Sequence, residues 1–459
     1  MQKYNVVIIG SGSGGYVAAL HLGNNHQKAA VIENKYLGGT CLNVGCIPTK
    51  TLLHSSELAA QIARSQDFGI KVDQWSVDLP AMIKRKNSVV RRLKAGVEML
   101  LKNRRIDIFD GTGSILSANQ VQVQPKDGDP QILETENIII ASGSAPIVPS
   151  IFPQDLSKIM TSDEILDLET LPKSLLIVGG GYIGCEFATV LAELGTKVTV
   201  VEMLDRLIPM ADLDISAALT KIFKKMKIDV HCATPVEKME ITDTGVKTTL
   251  QGDKVLDTDL ALICTGRAPC TSALNLDKIG VETEKGYIKI DPQCRTNIPN
   301  IFAIGDVTGK VQLAHVASRQ AAVAAHTILG KSDAEDYTVV PSAIYTHPEI
   351  ASVGLTEQQA RDQNPDIKIA TFSLMASGIA QAYHDTAGFV KLIAAPDDRI
   401  LGAHLLSPHA SDLIHEIAVL IKSECTLHEL VATIHAHPTF AESLHETAEK
   451  LLGNPLHGA

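Results

Sequence analysis

The chain has 459 residues, of which 45% are hydrophobic, 20% charged and 4% aromatic, and its formal net charge is −11. This is the balance of a globular protein with a sizeable aliphatic core, long enough for roughly two to four domains. The acidity opposes a nucleic-acid partner, whose phosphates it would repel, and no apolar run is long enough to span a bilayer. A first strand expected at Val6–Ile9 leaves no room for a signal peptide. Eight cysteines in so long a chain make no disulfide scaffold. A cytoplasmic setting with reduced thiols is expected, although a processed organelle protein would look the same.

The first organised unit runs from Tyr4 to Glu33. YNVVIIG is a short apolar run with β-branched residues and predicts a buried strand; AALHLG follows as helix and AAVIE as a second strand. Gly10, Gly12 and Gly15 stand in G-x-G-x-x-G spacing between strand and helix, and Glu33 falls 23 residues after Gly10. A glycine motif alone is weak; set in strand–turn–helix–strand with a terminal acid, it is the context of dinucleotide binding. Gly10 permits the tight turn, Gly12 lets a pyrophosphate approach the backbone, and Gly15 lets helix pack on strand. The helix N-terminus then stabilises phosphate charge, and Glu33 accepts from ribose hydroxyls.

GGTCLNVGCIPTK (Gly38–Lys50) follows directly, with four residues between Cys41 and Cys46. A close cysteine pair beside a nucleotide fold points to a reversible dithiol/disulfide rather than two packed thiols. Zinc would require about four ligands and no second close Cys or Cys/His cluster is obvious, so no metal site is expected. Pro48 suits a first helical turn, and Lys50–Ala63, with Leu52, Leu53, Leu58 and Ile62, predicts a helix. Lys50 lies a few residues from Cys46 and by itself reads as a solvated lysine. Ala81–Lys102 predicts one long helix whose Lys84, Arg85, Lys86, Arg91, Arg92 and Lys94 form a solvated face. Extended chain is expected at Ile106–Phe109, GTGS (Gly111–Ser114), Val121–Val123 and Ile132–Ile140. The last ends at Ala141-Ser142-Gly143, small residues that admit a ligand close to the backbone.

From Leu175, LLIVGGGYIGCEFATVLAELGTKVTVVE repeats the nucleotide pattern with Gly179, Gly181 and Gly184, and Glu202 again falls 23 residues after the first glycine. Two such units imply two dinucleotides. Glu202 favours a free 2′-hydroxyl and repels a 2′-phosphate, hence NAD(H) rather than NADP(H), despite the nearby Arg206. Glu186 alone reads as a first-turn acid complementing the helix dipole. ALICTGRAP (Ala261–Pro269) brings a strand to Gly266 and Arg267 and echoes IIIASGSAP, returning the chain to the first unit. IPNIFAIGDVTG (Ile298–Gly309) ends a strand at Gly305-Asp306, where an acid either binds sugar hydroxyls or closes a turn. Leu313-Ala314-His315 lies at the start of the next helix. From about Tyr337, antiparallel strands with helices at Ala410–Ser423 and Leu427–Ala436 predict an α+β end region without a nucleotide motif. There His437-Pro438 opens a turn and Glu442 follows five residues after His437. An acid so placed can orient the imidazole and stabilise its protonated form for acid/base work; the alternative is a surface histidine.

The dithiol segment, both glycine motifs, TGR, GD, LAH and HPT…E occur in an order that resembles, over essentially the whole chain, the flavin-dependent pyridine nucleotide-disulfide oxidoreductases. LNVGCIPTK most resembles the dihydrolipoamide-oxidising branch of that family. The resemblance implies an α/β fold: two Rossmann-like dinucleotide-binding domains plus a C-terminal α+β dimerisation domain. Its expected divisions are 1–145 for the first part of the FAD-binding domain, 146–265 for NAD, 266–336 for the second, central part, and 337–459 for dimerisation. It implies FAD in the first unit and NAD in the second. Cys46 is then nearest the flavin, Lys50 touches the flavin ring and pairs with Glu186, and Asp306 contacts the ribityl chain. Leu313, Ala314 and His315 put helix amides at the pyrimidine edge. Gly39, Thr40, Gly113, Ser142, Gly143, Gly266 and Arg267 are further implied cofactor contacts.

In the implied homodimer His437 and Glu442 complete the partner subunit's site. The implied reaction oxidises dihydrolipoamide to lipoamide and reduces NAD⁺. The implied partners are lipoyl domains of acyltransferases or of glycine-cleavage carrier proteins. Two departures stand out: ASG in place of ATG, and Ile379 where the family often has a basic residue. Glutathione-reductase-like members carry basic residues for NADP, which Glu202 opposes. Mercuric reductases add a C-terminal cysteine pair, whereas Cys425 is the last cysteine here and stands alone. A non-catalytic NAD-binding scaffold would have no use for Cys41, Cys46, His437 and Glu442 together.

Overall fold

The computed structural model describes residues 2–457. In the first unit β1 (Gln2–Ile9) is apolar on both faces because it runs centrally in a largely parallel sheet with layers on either side. It pairs in parallel with β2 (Ala29–Glu33), and α1 (Ser13–Asn24) makes the crossover. Three helices follow: α2 (Gly39–Val44), α3 (Cys46–Ala63) and α4 (Leu79–Asn103). The strands β3 (Asp107–Asp110), β4 (Thr112–Ser117), β5 (Gln120–Gln124) and β6 (Gln131–Ile140) complete a sheet of order β3-β2-β1-β6-β5-β4.

α4 begins two residues earlier than expected because Asp78 caps it, accepting from the Ala81 N–H, with Pro80 in the first turn where no N–H is needed. The expected solvated face of α4 requires one correction. Lys86 is only 2% exposed and donates to the Leu166 carbonyl and the Asp167 carboxylate, so it ties α4 to the following unit. A buried ammonium persists only with partners of this kind.

The second unit comprises β7 (Ser144–Pro146), β8 (Ile159–Met160), β9 (Ser174–Val178), α5 (Tyr182–Glu193), β10 (Lys197–Val201), α6 (Leu213–Lys225) and β11 (Asp229–His231). An antiparallel meander, β12 (Val236–Ile241), β13 (Val246–Leu250) and β14 (Lys254–Thr258), leads to β15 (Leu260–Ile263). Its parallel order β11-β10-β9-β15-β8 repeats the β3-β2-β1-β6 core of the first sheet. β16 (Arg267–Pro269) pairs antiparallel with β7, so the echo between GSAP and GRAP is a two-stranded ribbon linking the units. After α7 (Leu276–Ile279) and the hairpin β17–β18 (Thr283–Glu284, Tyr287–Ile288), β19 (Ile301–Ala303) joins β6 in the first sheet. α8 (Ala314–Ile328) packs on α1.

The C-terminal unit contains β20 (Ser342–Ile344), β21 (Glu349–Gly354), α9 (Glu357–Gln363), β22 (Lys368–Ser373), α10 (Gly378–Tyr383), β23 (Phe389–Ala394) and β24 (Ile400–Ser407). Its antiparallel sheet has the order β20-β21-β24-β23-β22, followed by α11 (Ala410–Lys422), α12 (Leu427–Ala432) and α13 (Glu442–Leu451). α12 stops at Ala432 rather than continuing to 436, because Thr433 turns extended and starts the approach to His437. Among the described residues no helix is long and apolar enough to cross a membrane.

Candidate active site

Each glycine loop is shaped by backbone contact. A side chain at Gly10 would stand 2.2 Å from the Ala141 carbonyl oxygen, and one at Gly15 1.9 Å from the Gly10 oxygen. The second loop matches it: 2.3 Å from Gly179 to the Cys264 oxygen and 2.1 Å from Gly184 to the Gly179 oxygen. The middle glycines differ in kind. Gly181 has nothing within 4 Å of its would-be side chain and Gly12 only the Gly39 Cα at 3.9 Å, so both keep a bare face for a ligand. Gly143 likewise has an open face. At Gly113, in β4, a side chain would meet Ile9 and Ile32.

The two terminal acids are occupied to different degrees. Glu33 accepts from the Ser11 N–H and hydroxyl on one oxygen and from the Lys35 and Tyr36 N–H groups on the other. All four acceptor positions are therefore in use, and the rotatable Ser11 hydroxyl is the donor a ribose could replace. Glu202 accepts from the Gly180 N–H at 2.6 Å and the Leu204 N–H at 2.8 Å, which leaves it two acceptor positions. Arg206 is turned onto Asp205 and the Pro209 carbonyl.

The dithiol is carried on the helices beside the first loop. A side chain at Gly39, where α2 starts, would lie 2.4 Å from the Gly12 Cα, so the loop fixes the position of Gly39, Thr40 and Cys41. Cys46 opens α3, and Pro48 sits in its first turn as expected. Both cysteines are thiols. The Cys46 thiol hydrogen-bonds to Cys41 and, against the opposing effect of burial, lowers Cys41 to about 7, helped by the Ser13 hydroxyl and the Lys50 charge. The same bond, together with burial, pushes Cys46 well above the usual thiol range. One thiol is therefore a nucleophile near neutrality and the other holds its proton. In the reduced protein, iodoacetamide should alkylate Cys41 with a rate that rises as pH climbs through about 7 and spare Cys46. Peptide mapping that found Cys46 alkylated first would reverse the assignment.

Lys50 is not a free surface lysine. Its Nζ donates to both oxygens of Glu186 at 2.9 and 2.7 Å, and lies 4.5 Å from the centre of the Tyr345 ring. Glu186 also accepts from the Tyr345 N–H, which draws in the C-terminal unit. A second group forms across the β7–β16 ribbon. Arg267 donates to the Ser144 hydroxyl and carbonyl at 2.8 Å each, and that hydroxyl donates to Asp306 at 2.5 Å. Leu313 caps α8, Ala314 begins it, and the His315 Nε2 is held 2.8 Å from the Pro341 carbonyl.

His437 and Glu442 lie elsewhere on the chain. His437 Nδ1 stands 2.8 Å from Glu442 Oε1, and the other Glu442 oxygen accepts from the Thr439 N–H at 2.7 Å. Partial burial works against the Glu442 anion, but these two partners outweigh it and hold the carboxyl below its usual range. The imidazole is 81% exposed, and among the described residues no hydrogen bond or ion pair joins it to either thiol. Ile379 packs in a small apolar cluster with Phe440, three residues beyond His437, so the expected basic position supports the His437 turn by packing.

Sequence reasoning missed Ser144, which joins Arg267 to Asp306, and Tyr345, which covers Lys50. The SAP/RAP echo was a signal for the first. Nothing local marks the second.

A family model for Pyridine nucleotide-disulphide oxidoreductase matches residues 4–321, and one for the family's dimerisation domain matches residues 340–448. The chain belongs to this family. It is 41% identical to a dihydrolipoyl dehydrogenase of Chlamydia muridarum over 99% of this chain and 98% of the relative. It is 40% identical to that of Geobacillus stearothermophilus, over 98% and 97%. Among solved structures, LpdA from Mycobacterium tuberculosis superposes with a TM-score of 0.92 at 27% identity, covering 98% of this chain and 100% of that one. The Cu(II) complex of RclA, an HOCl-induced flavoprotein disulfide reductase from Escherichia coli, gives 0.90 at 31%, covering 98% and 100%. As a member of the family the chain is an oxidoreductase, its cofactors are FAD and NAD(H), and it has the dimerisation domain of a homodimer. The residues fit those cofactors: bare glycine faces on both loops, an open Gly143, and a buried Ser142 hydroxyl that has no hydrogen-bond partner among the described residues.

Proposed function

We propose that this enzyme is a dihydrolipoyl dehydrogenase, oxidising protein-bound dihydrolipoyl groups and reducing NAD⁺. The observation that carries the reading is geometric: a pair of thiols on α2 and α3 held against the first glycine loop, with the Lys50–Glu186 pair behind it. FAD, when bound, supplies the link between two-electron thiol chemistry and hydride chemistry. The FAD unit comprises 1–145 and 266–336, the NAD unit 146–265, and the dimer unit 337–459.

In this scheme the Cys41–Cys46 pair begins as a disulfide. His437 of a second copy, oriented by Glu442, takes a proton from one substrate thiol. The substrate thiolate attacks the Cys41 sulfur, forming a mixed disulfide and breaking the bond to Cys46; with Cys41 no longer a thiol that raises it, Cys46 departs as a thiolate whose charge Lys50 offsets. The second substrate thiol then attacks the mixed disulfide, the substrate closes to its cyclic disulfide, and Cys41 leaves reduced. Gly10, Gly12, Gly15, Glu33, Ser142, Gly143 and Asp306 hold the flavin nucleotide; Gly179, Gly181, Gly184 and Glu202 hold the nicotinamide nucleotide. The physiological partners are lipoyl domains of acyltransferase or glycine-cleavage complexes, in the cytoplasm.

A substrate panel tests the reading. Dihydrolipoamide, glutathione disulfide and mercuric ion are each assayed with NAD(H) and NADP(H). Turnover should be confined to dihydrolipoamide/lipoamide with NAD(H); preferential reduction of glutathione disulfide or mercuric ion would replace the assignment. The nicotinamide choice has its own check. Glu202→Ala should weaken NAD⁺ use by roughly 1–3 kcal/mol and improve relative NADP⁺ use. An unchanged NAD⁺/NADP⁺ ratio would show that Glu202 only braces the Gly180 and Leu204 amides.

A further inference from the structure

We propose that the outward face of α4 docks the carrier domain that delivers the substrate, and that this domain is recognised as an acidic protein surface. The inference rests on the dihydrolipoyl reading above and adds the surface that selects the partner. Residues 84–105 contain nine lysines and arginines and a single acid, Glu98, in a chain whose net charge is −11. Arg91, Arg92, Lys94, Lys102 and Arg105 are all exposed and, among the described residues, join no ion pair. Lys86, on the inner side of the same helix, is by contrast held by two partners.

The patch is also apolar in part. Met99 is 58% exposed, with Arg92 seven residues before it and Lys102 three after, so all three share one stripe of the helix. Its position matters. The inner side of α4 puts Val97 in one core cluster with Leu42, the neighbour of Cys41, and α4 packs on both α2 and α3, which carry the two thiols. The cations therefore stand about one helix diameter, ~10 Å, from the element bearing Cys41. An acidic carrier would be repelled by most of an acidic enzyme; a local positive field beside the helices that bear the dithiol attracts it to this face. A long nucleic acid is a poorer occupant, because its phosphates would run past the helix onto acidic surface.

The test uses the full-length, FAD-loaded dimer carrying Arg91→Glu/Arg92→Glu/Lys94→Glu, and a second variant with Gln at the same three positions. Each is assayed with free dihydrolipoamide and with a dihydrolipoylated lipoyl domain of net negative charge. With the domain at low ionic strength, KM should rise about tenfold for the Glu variant and less for the Gln variant, and the wild-type salt dependence should vanish. Kinetics with free dihydrolipoamide should be unchanged, which also reports correct folding. Equal KM for the domain in all three proteins would overturn the docking surface while leaving the proposed reaction intact. So would loss of the dimer on sizing, which would make α4 a contact between copies, or wild-type binding of DNA without an effect of the variants on the domain. Failure of wild type to oxidise free dihydrolipoamide would instead remove the underlying reading, and this proposal with it.

Discussion

A heterodimer of one Cys41→Ser chain and one His437→Ala chain should regain about half the wild-type dihydrolipoamide activity per dimer, although each homodimer is nearly inactive. Cys41→Ser removes the sulfur attacked by substrate, and His437→Ala removes the base. The structure supplies the motive: the His437–Glu442 pair is fully assembled, yet its imidazole is 81% exposed and bonded to neither thiol of its own chain. If each site joins the dithiol of one copy to the histidine of the other, the mixed dimer has one doubly defective site and one intact site. Co-expressed, separately tagged chains provide the sample. Activity that stays at the level of the homodimeric mutants would mean that each site lies within one chain, and the cross-subunit role of His437 would have to be abandoned.

Lys391→Met should destabilise the protein at neutral pH by about 3–5 kcal/mol, the cost of leaving a buried charge uncompensated. Lys391, on β23, is 1% exposed and donates to Asp212 at 2.8 Å and Asp214 at 2.7 Å, with Glu357 also at 2.7 Å. Asp212 is equally buried and caps α6 of the second unit, so the lysine fastens that unit to the C-terminal sheet. Asp214 and Glu357 reach solvent and contribute less. Burial raises the Asp212 carboxyl, but the Lys391 bond and the Glu357 N–H outweigh it, and Asp212 ends below its usual range. A carboxylate depressed in this way stabilises the fold above its unfolded pKa of about 3.9 and loses that contribution as pH falls through the folded value. The deficit of Lys391→Met should therefore be full at pH 7 and shrink below about pH 4. Urea titrations of both proteins across that range measure it. A deficit that is absent at pH 7, or that grows on acidification, would show that the lysine is not compensating Asp212.

The two nucleotide units and the dithiol could be read from the chain because their signals are local. A turn that packs Gly15 so close to the Gly10 carbonyl, or Gly184 to that of Gly179, that no side chain fits is dictated over six residues, and the acid closing the second strand follows at a spacing set by one helix and one strand. The same holds for His437 and Glu442, which meet across a single turn. Partnerships between distant charged groups were not legible in this way. Lys50 reads as a surface lysine until α5 brings Glu186, 136 residues away, onto it. Lys86 reads as part of a solvated face, and both it and Lys391 are buried because another unit supplies their carboxylates. Ser144 acquires its role only when β7 and β16 pair and set Arg267 and Asp306 on either side of it. Backbone dihedrals and side-chain periodicity are written residue by residue; which charge neutralises which depends on how separately folded sheets pack, and in an acidic chain many carboxylates compete for each lysine.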